Sequence, residues 1–281
     1  MINITRNKRL YAQKIMRQNL LLELDLYKKV NPILNTTYTE VAEGIKHGDY
    51  LNVVPIFVNK KTNALKKIYY DFYRQIGLIG FKLIDDRLNE IKPKGFSKYD
   101  TKAANYNFWY HFDLWAKRES MSKVTKIDAT TKKSLSNMID KSIKDGKDYR
   151  QISKDILTIK EITTKHRAMA IATTETHTAF NKGIFESIEQ SDVEMETKEW
   201  MNAGDERVRE GIFDHVRAQG EIVGMDEYFI LTGGELLFPG DSNSSGSDPA
   251  NIIRCRCIAL YYTESGRTST HRDVVEEEQE R

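Results

Sequence analysis

The spacing of apolar residues changes near residue 190, and this change limits the folds open to the chain. Before it, apolar residues recur every three or four positions, as they do on one face of a helix. After it, they alternate over short stretches, which favours strands. The sequence therefore predicts an α+β fold, with a mostly helical N-terminal half and a compact C-terminal domain of helices and a small antiparallel β-sheet. The clearest helical stripe consists of Leu65, Ile68, Tyr69, Phe72, Ile76, Ile79 and Leu83.

Local start and stop signals divide the helical part into shorter segments. Asn31-Pro32 marks the end of the first one, because proline restricts the residue before it. Asp148 and Gln151 have the spacing of a capping box, in which each side chain accepts a bond from the other residue's backbone N–H. Gly77 and Gly80 permit close approach of another backbone. The predicted segments span about 5–30, 37–46 and 60–91, and further segments begin near residues 101, 128, 148 and 163.

Charge is unevenly distributed along the chain. Residues 1–150 contain 29 Lys and Arg against 16 Asp and Glu, and residues 151–281 contain 14 against 25, which accounts for all 43 basic and 41 acidic residues. The basic half is a candidate for contact with nucleic acid or an acidic protein surface, unless its charges form ordinary solvated helix faces. We predict a basic helical region over 1–125, a domain over 126–264, and an acidic disordered tail over 265–281.

Several classes of protein find no support in the composition. No apolar run approaches the roughly 18 residues of a membrane span, so we expect no membrane contact. The N-terminus has no secretory apolar segment, which predicts synthesis in the cytoplasm. The chain has only two cysteines, which excludes a disulfide framework. It also lacks a phosphate-binding Walker loop, a dinucleotide-binding fingerprint and an H-E-x-x-H zinc motif.

The stretch from Trp200 to Cys257 concentrates charge, glycine and cysteine, and it is the candidate functional region. Cys255 and Cys257 are two residues apart, so an extended backbone places both sulfurs on one face. With His215 they offer two thiols and an imidazole, which is a ligand set that zinc prefers, and Asp205 or Asp214 could complete it. The alternative is a pair of buried thiols in a small β-sheet, with His215 hydrogen-bonded nearby.

Two catalytic interpretations of the same residues are also open. A cysteine could act as a nucleophile with His215 as its base. A nuclease would instead use His215, Asp205, Arg207 and Arg209 around a phosphate. The alternative function is therefore a metal- or phosphate-binding hydrolase or nuclease, centred on His215 and Cys255-Arg256-Cys257.

A polar line follows one face of the predicted helix before residue 190. Arg167, Thr174 and Asn181 recur at seven-residue intervals, and Glu175 is adjacent. Polar side chains on a buried face need hydrogen-bonding partners, and we expect those partners in the segment 205–215. The alternative is a polar line that faces solvent.

Several separated motifs in this part of the chain agree in order and spacing with one family. They are Arg167–Glu175, Asn181-Lys182-Gly183, Trp200, Asp205–Arg209, His215, Gly220, Phe229, Pro239-Gly240 and Cys255-Arg256-Cys257. Together they resemble the phage Mu F-like minor head, or head morphogenesis, proteins. The resemblance covers roughly residues 130–262.

The resemblance implies a low-copy minor capsid protein of the virion, located inside the capsid near the portal vertex and synthesised in the cytoplasm of a bacterial host. It implies a role in head morphogenesis and in the fate of packaged DNA, including its ejection. The expected partners are the portal protein, scaffolding or major capsid proteins, and double-stranded DNA.

The resemblance also implies what the polar residues of these motifs do in this chain. They would form a fold-stabilising site rather than a catalytic one, and no cofactor is expected beyond a possible structural zinc at His215, Cys255 and Cys257. Some members of the family carry an additional toxin or ADP-ribosyltransferase domain. We expect no enzymatic activity here, because the residues after the cysteine segment are too few for such a domain. The site would join Arg167, Glu175 and Asn181 to Asp205, Arg207, Arg209 and His215.

Overall fold

Four long helices account for most of the residues that the structure describes. The structure is a computed structural model, and it describes residues 4–47, 52–91, 101–191, 194–242 and 248–263. Within these ranges, no helix is long and apolar enough to cross a membrane. The predicted acidic tail, 265–281, lies outside the described residues. The long helices are α1 (Ile4–Lys46), α2 (Val53–Ile91), α3 (Thr101–Lys144) and α4 (Tyr149–Glu189).

The helix breaks that we predicted near residues 31, 128 and 163 are wrong. α1 continues through Pro32, although proline removes one backbone hydrogen bond. Val30, Leu34 and Tyr38 are buried on both sides of it, so packing outweighs the local stop signal. Asp128 does not cap a helix, because it lies inside α3 and accepts a hydrogen bond of 2.6 Å from the Thr62 hydroxyl.

Other helix boundaries match their signals. The N–H groups of Asp148 and Gln151 each donate to the other residue's side chain at 2.9 Å, which confirms the capping box. Gly146 has a φ of 73° after the end of α3, as a helix-ending glycine does. α2 begins earlier than predicted, and Pro55 lies in its first turn, where no helical N–H is needed.

Contacts divide the chain into two compact units. One consists of the described parts of Met1–Leu22, Ile76–Phe112 and Thr173–Arg281, and the other of Glu23–Gln75 and Asp113–Ala172. The second unit is helical, and its buried core consists of Tyr38, Val41, Ala42, Ile45, Val53, Val54, Val58, Leu135, Ile139, Ile152 and Ile156. The division into 1–125 and 126–264 stays a prediction.

In the first unit, glycines bring α2 and α4 together. A Cβ added to Gly183 would lie 3.1 Å from the Gly77 Cα, and one added to Gly80 would lie 3.1 Å from the Ile184 backbone nitrogen. The predicted close approach at Gly77 and Gly80 is therefore confirmed. The two helix backbones meet without intervening side chains at this point.

The small antiparallel sheet of the same unit confirms the α+β class. Strand β1 (Thr197–Met201) lies between β2 (Ile222–Gly224) and β5 (Ile258–Tyr262), with Thr197 opposite both Gly224 and Tyr262. A separate hairpin pairs β3 (Phe229–Leu231) with β4 (Gly234–Leu236).

The apolar pattern from Ile252 to Tyr262 is typical of one strand, but the final strand covers only its second half. Asp248 caps a short helix, α5 (Pro249–Ile252), by accepting from the Ala250 N–H. The strand begins only at Ile258, after Arg254 with a φ of 58°. Asp248-Pro249 is a helix-start signal, but the apolar pattern of the region favoured a strand instead.

β1 also buries a lysine. Lys198 is fully buried, and its ammonium group donates to the Met225 carbonyl. Burial lowers the pKa of Lys198 to about 8, although the nearby carboxylates of Asp226 and Glu189 raise it. The protein therefore keeps a charged group in an unfavourable environment at neutral pH.

This lysine predicts a specific pH dependence of stability. Because the folded pKa is below the ordinary value of 10.5, the unfolded state binds more protons between about pH 8 and 10.5, and stability rises with pH there. Relative to Lys198→Met, the wild type should gain about 3 kcal/mol in free energy of unfolding through this range. Denaturant unfolding of both proteins at several pH values measures the difference. A difference that does not change with pH would contradict the prediction.

Candidate functional site

The candidate site lies in the first unit, where the segment after β1 meets the segment around α5. Short polar side chains shape the first segment by bonding to nearby backbone N–H groups. The Asn202 side chain accepts from Gly204, Asp205 accepts from Arg207, and Asp214 accepts from Val216 and Arg217. These turns carry the chain to His215, whose ring is buried.

His215, Cys255 and Cys257 come together as the sequence predicted. The Nδ1 atom of His215 lies 3.6 Å from each of the two sulfurs, and the three ligand atoms all lie within 4.8 Å of one another. All three side chains are buried, and the His215 ring meets the Trp200 ring edge-on at 5.3 Å between centroids. The cysteines precede β5, so the two-residue spacing places both sulfurs on one side without a strand.

Asn251 fixes the orientation of the His215 ring, and sequence reasoning did not assign it this role. Its Nδ2 donates to the Thr232 carbonyl at 2.9 Å, which leaves its Oδ1 facing His215 Nε2 at 3.4 Å. An amide oxygen only accepts, so Nε2 carries the ring proton. Nδ1 therefore presents its lone pair to the two sulfurs.

The two thiols differ in their affinity for a proton. The hydrogen bond from Cys257 lowers the pKa of Cys255, although burial acts in the opposite direction and raises it. Burial raises the pKa of Cys257, and the negative charge on Cys255 adds to this effect.

A cleft of about 220 Å³ opens beside this cluster, and arginines surround it. Arg256 donates two hydrogen bonds to the Asp205 carboxylate, at 2.6 and 2.7 Å. These bonds hold the pKa of Asp205 well below its usual range, and Arg207 adds to the effect. Arg209 donates to the Ile253 carbonyl at 2.6 Å. Residues that line the cleft include Arg207, Arg209, Arg254, Arg256, His215, Cys255 and Cys257.

A comparison with protein families places the whole site inside one family region. Residues 133–260 match the model described as Phage Mu protein F like protein. These residues form a phage Mu F-like region. The match is to a family of phage head proteins and covers a little under half of the chain. No curated protein and no solved structure matches the chain.

The polar residues of α4 in the Mu F-like region bond to other partners than we predicted. Asn181 Nδ2 donates to the carbonyls of Pro239 and Cys257, at 2.8 and 2.9 Å, rather than to the segment 205–215. Thr174 accepts from the Arg254 N–H at 2.9 Å. The helix therefore holds the backbone that leads into the cysteines.

The other two signature residues of α4, Arg167 and Glu175, belong to different units. Arg167 donates to the Ile127 carbonyl at 3.4 Å, within the other unit, and Glu175 is buried. Asp205, Arg207 and Arg209 bond within the site described above. The prediction that Arg167 and Asn181 bond to these side chains is therefore corrected, because backbone carbonyls accept their hydrogen bonds instead.

Asn181 predicts a measurable stability effect in the Mu F-like region. Asn181→Leu keeps the volume of the side chain but leaves two carbonyl bonds unmade in a buried position. We expect a loss of about 3 kcal/mol in free energy of unfolding, since an unsatisfied buried group costs about 1–3 kcal/mol. Thr178→Val, which loses one bond to the Gly240 carbonyl, is the matched control with a smaller expected loss. Equal stability of wild type and Asn181→Leu would contradict the prediction.

Proposed function

We propose that this chain is a minor head, or minor capsid, protein that acts in head morphogenesis at the portal vertex of a phage particle. The observation that carries the proposal is the Mu F-like match over 133–260, which contains the whole candidate site. On this proposal the chain lies inside the capsid near the portal, with the portal protein as its main partner. Scaffolding or major capsid proteins are further partners.

The hydrogen bonds of the site support a structural role. Its polar side chains bond mostly to the chain's own backbone and to one another, as Asn181, Arg209 and the Asp205–Arg256 pair do. Such bonds hold the long connection after β1 against the segment that leads into β5. A role in holding these two segments together for contact with a partner needs no catalytic activity.

The charge of residues 1–150 supports contact with packaged DNA or with an acidic portal surface. Lys126 and Lys133 are exposed on α3, among other exposed basic residues of α1–α3. Contacts between lysines and phosphates release counterions, so the affinity falls steeply as salt rises. We propose that the basic half contacts double-stranded DNA in this way during packaging or ejection.

Co-expression tests the portal assignment directly. The untagged chain would be expressed with the tagged portal protein encoded by the same phage genome, and the portal would be purified. We expect the chain to co-purify with the portal in a fixed ratio and to stay absent when a tail protein of that phage replaces the portal. A portal that purifies without the chain, with the chain soluble in the lysate, would overturn the assignment.

DNA contact has its own test in the full chain. We expect duplex DNA to bind with an affinity that falls with salt, and to be recovered uncut. A Lys126→Ala, Lys133→Ala double variant should bind more weakly, whereas a Lys154→Ala, Lys165→Ala pair on exposed positions of the acidic half should not. Equal weakening by both pairs would contradict the assignment to the basic half.

One observation favours a second function, a metal- or phosphate-binding hydrolase or nuclease. Four arginines collect around a cleft beside His215, and such a cleft could hold a phosphate. Incubation of plasmid DNA with the protein and Mg²⁺ or Zn²⁺ separates the two functions. Strand cleavage that is lost in His215→Ala would support the hydrolase, and intact DNA would support the structural role.

A further inference from the structure

We propose that His215, Cys255 and Cys257 bind one divalent cation of the zinc type, through Nδ1 and the two sulfurs. This proposal does not depend on the role at the portal. Three potential ligand atoms converge on one point in the interior. Two sulfurs face a single imidazole lone pair, which accepts one proton well, whereas a cation engages both sulfurs and the nitrogen at once.

The distances within the cluster fit a tetrahedral cation. With zinc–nitrogen and zinc–sulfur bonds near 2.0 and 2.3 Å, tetrahedral angles place nitrogen and sulfur about 3.5 Å apart. Both sulfurs lie 3.6 Å from His215 Nδ1. The two nitrogen–sulfur separations therefore already match those that such a cation requires, and the two sulfurs lie within 4.8 Å of each other.

The surroundings of His215 fix the ring in the form that binds a metal. Asn251 holds the proton on Nε2, and the Thr232 carbonyl fixes the Asn251 amide in turn. Ligating histidines commonly donate their second N–H to such a partner, which sets the tautomer and the ring orientation. Asn251 is itself fully buried, so this support is part of the interior.

The arginines around the cleft do not oppose the cation. A zinc ion with two thiolates and a neutral imidazole carries no net charge. Asp205 and Asp214 do not supply the fourth ligand, because Asp205 is engaged by Arg256 and Arg207 and Asp214 accepts from two backbone N–H groups. Since the three ligands line the cleft, the fourth coordination position would open onto it.

A cation at this place would join two distant parts of the chain. His215 belongs to the connection between β1 and β2, and the cysteines belong to the segment before β5. The metal would hold the connection against the sheet, with Trp200 packed on the His215 ring. A structural cation is therefore expected to raise the stability of the unit that contains the site.

Metal analysis of the untagged full chain tests the proposal. We expect about one zinc per chain after expression in zinc-supplemented medium. After metal removal and titration with Co²⁺, we expect the visible absorption of tetrahedral, thiolate-bound cobalt, with one equivalent at saturation. Protein that folds but contains no zinc and gives no such absorption would overturn the proposal.

Variants separate the metal ligands from their surroundings. Cys255→Ser and Cys257→Ser should each remove the thiolate–cobalt absorption or reduce it strongly. Asn251→Ala, which keeps all three ligands, should weaken binding about 10- to 100-fold. Leu231→Ala changes the same apolar cluster but removes no metal ligand, so this variant should lose stability and still bind one cation. Retention of full metal content by both cysteine variants would overturn the proposal.

Failure of the proposal and failure of the portal assignment give different results. A chain that binds zinc but does not join the portal retains the metal site and loses the assembly role. A chain that joins the portal but binds no metal retains the assembly role and overturns the metal proposal. A chelator that lowers the melting temperature of the wild type, but not that of Cys255→Ser, would show that the cation contributes to stability.

Discussion

Replacing Gly183 with leucine is expected to unfold the unit that contains the sheet, or to leave it only marginally stable. The Cβ position of Gly183 lies 3.1 Å from the Gly77 Cα and 3.7 Å from the Phe112 ring. Backbone cannot move aside as a side chain can, so α2 and α4 would have to separate. Overpacking of a core costs about 1–3 kcal/mol and sometimes more. Because a leucine adds four carbons at a backbone contact, we expect at least about 3 kcal/mol.

Denaturant unfolding of a graded series measures this effect. Gly183→Ala adds only the Cβ and should cost less than Gly183→Leu. Lys165→Leu, at an exposed position of α4, is the control for leucine in the same helix and should change the free energy of unfolding by less than about 0.5 kcal/mol. Similar stability of Gly183→Leu and Lys165→Leu would show that the two helices do not meet at the glycines.

Replacing Trp200 with alanine is expected to cost about 3–5 kcal/mol, as large-to-small changes of buried aromatic residues do. The Trp200 side chain is fully buried on β1. Its ring meets the rings of Phe229 and His215 edge-on, at 5.3 Å between centroids in both cases. The cavity would open beside Cys255 and Cys257, which belong to the same apolar cluster.

Trp200→Phe and Ile212→Ala provide the controls for this prediction. Phenylalanine retains part of the ring contact and should cost less than alanine. Ile212 is 75% exposed on the connection after β1, so its loss should change stability by less than about 0.5 kcal/mol. A Trp200→Ala protein as stable as Ile212→Ala would contradict the placement of this ring in the core.

The sequence predicted the parts of the fold that depend on local chemistry. The Asp148–Gln151 capping box and the close approach at Gly77 and Gly80 follow from residue types at fixed spacings, and both are confirmed. The predictions of helix breaks at Pro32 and Asp128 are wrong for one common reason. A local stop signal is worth a few kcal/mol, and burial of the residues on either side outweighs it.

The candidate site was predictable in its residue types but not in its supports. A spacing of two brings Cys255 and Cys257 to one side, and His215 is the histidine of the same region of the chain. The role of Asn251 and the carbonyls that Asn181 binds could not be found from the sequence, because these contacts join residues that are far apart in the chain. Arg254 and Arg256 are adjacent to the cysteines in the sequence, and this adjacency is the pattern that could have predicted an arginine-lined cleft beside the thiols.

The central claim, that the chain is a minor head protein near the portal, is tested most directly by the composition of purified heads. Quantitative mass spectrometry would be applied to DNA-filled heads of the phage or prophage that encodes the chain. We expect the chain in these heads at a fixed, low copy number, closer to that of the portal than to that of the major capsid protein. Heads that lack the chain, while the lysate they came from contains it, would contradict the account.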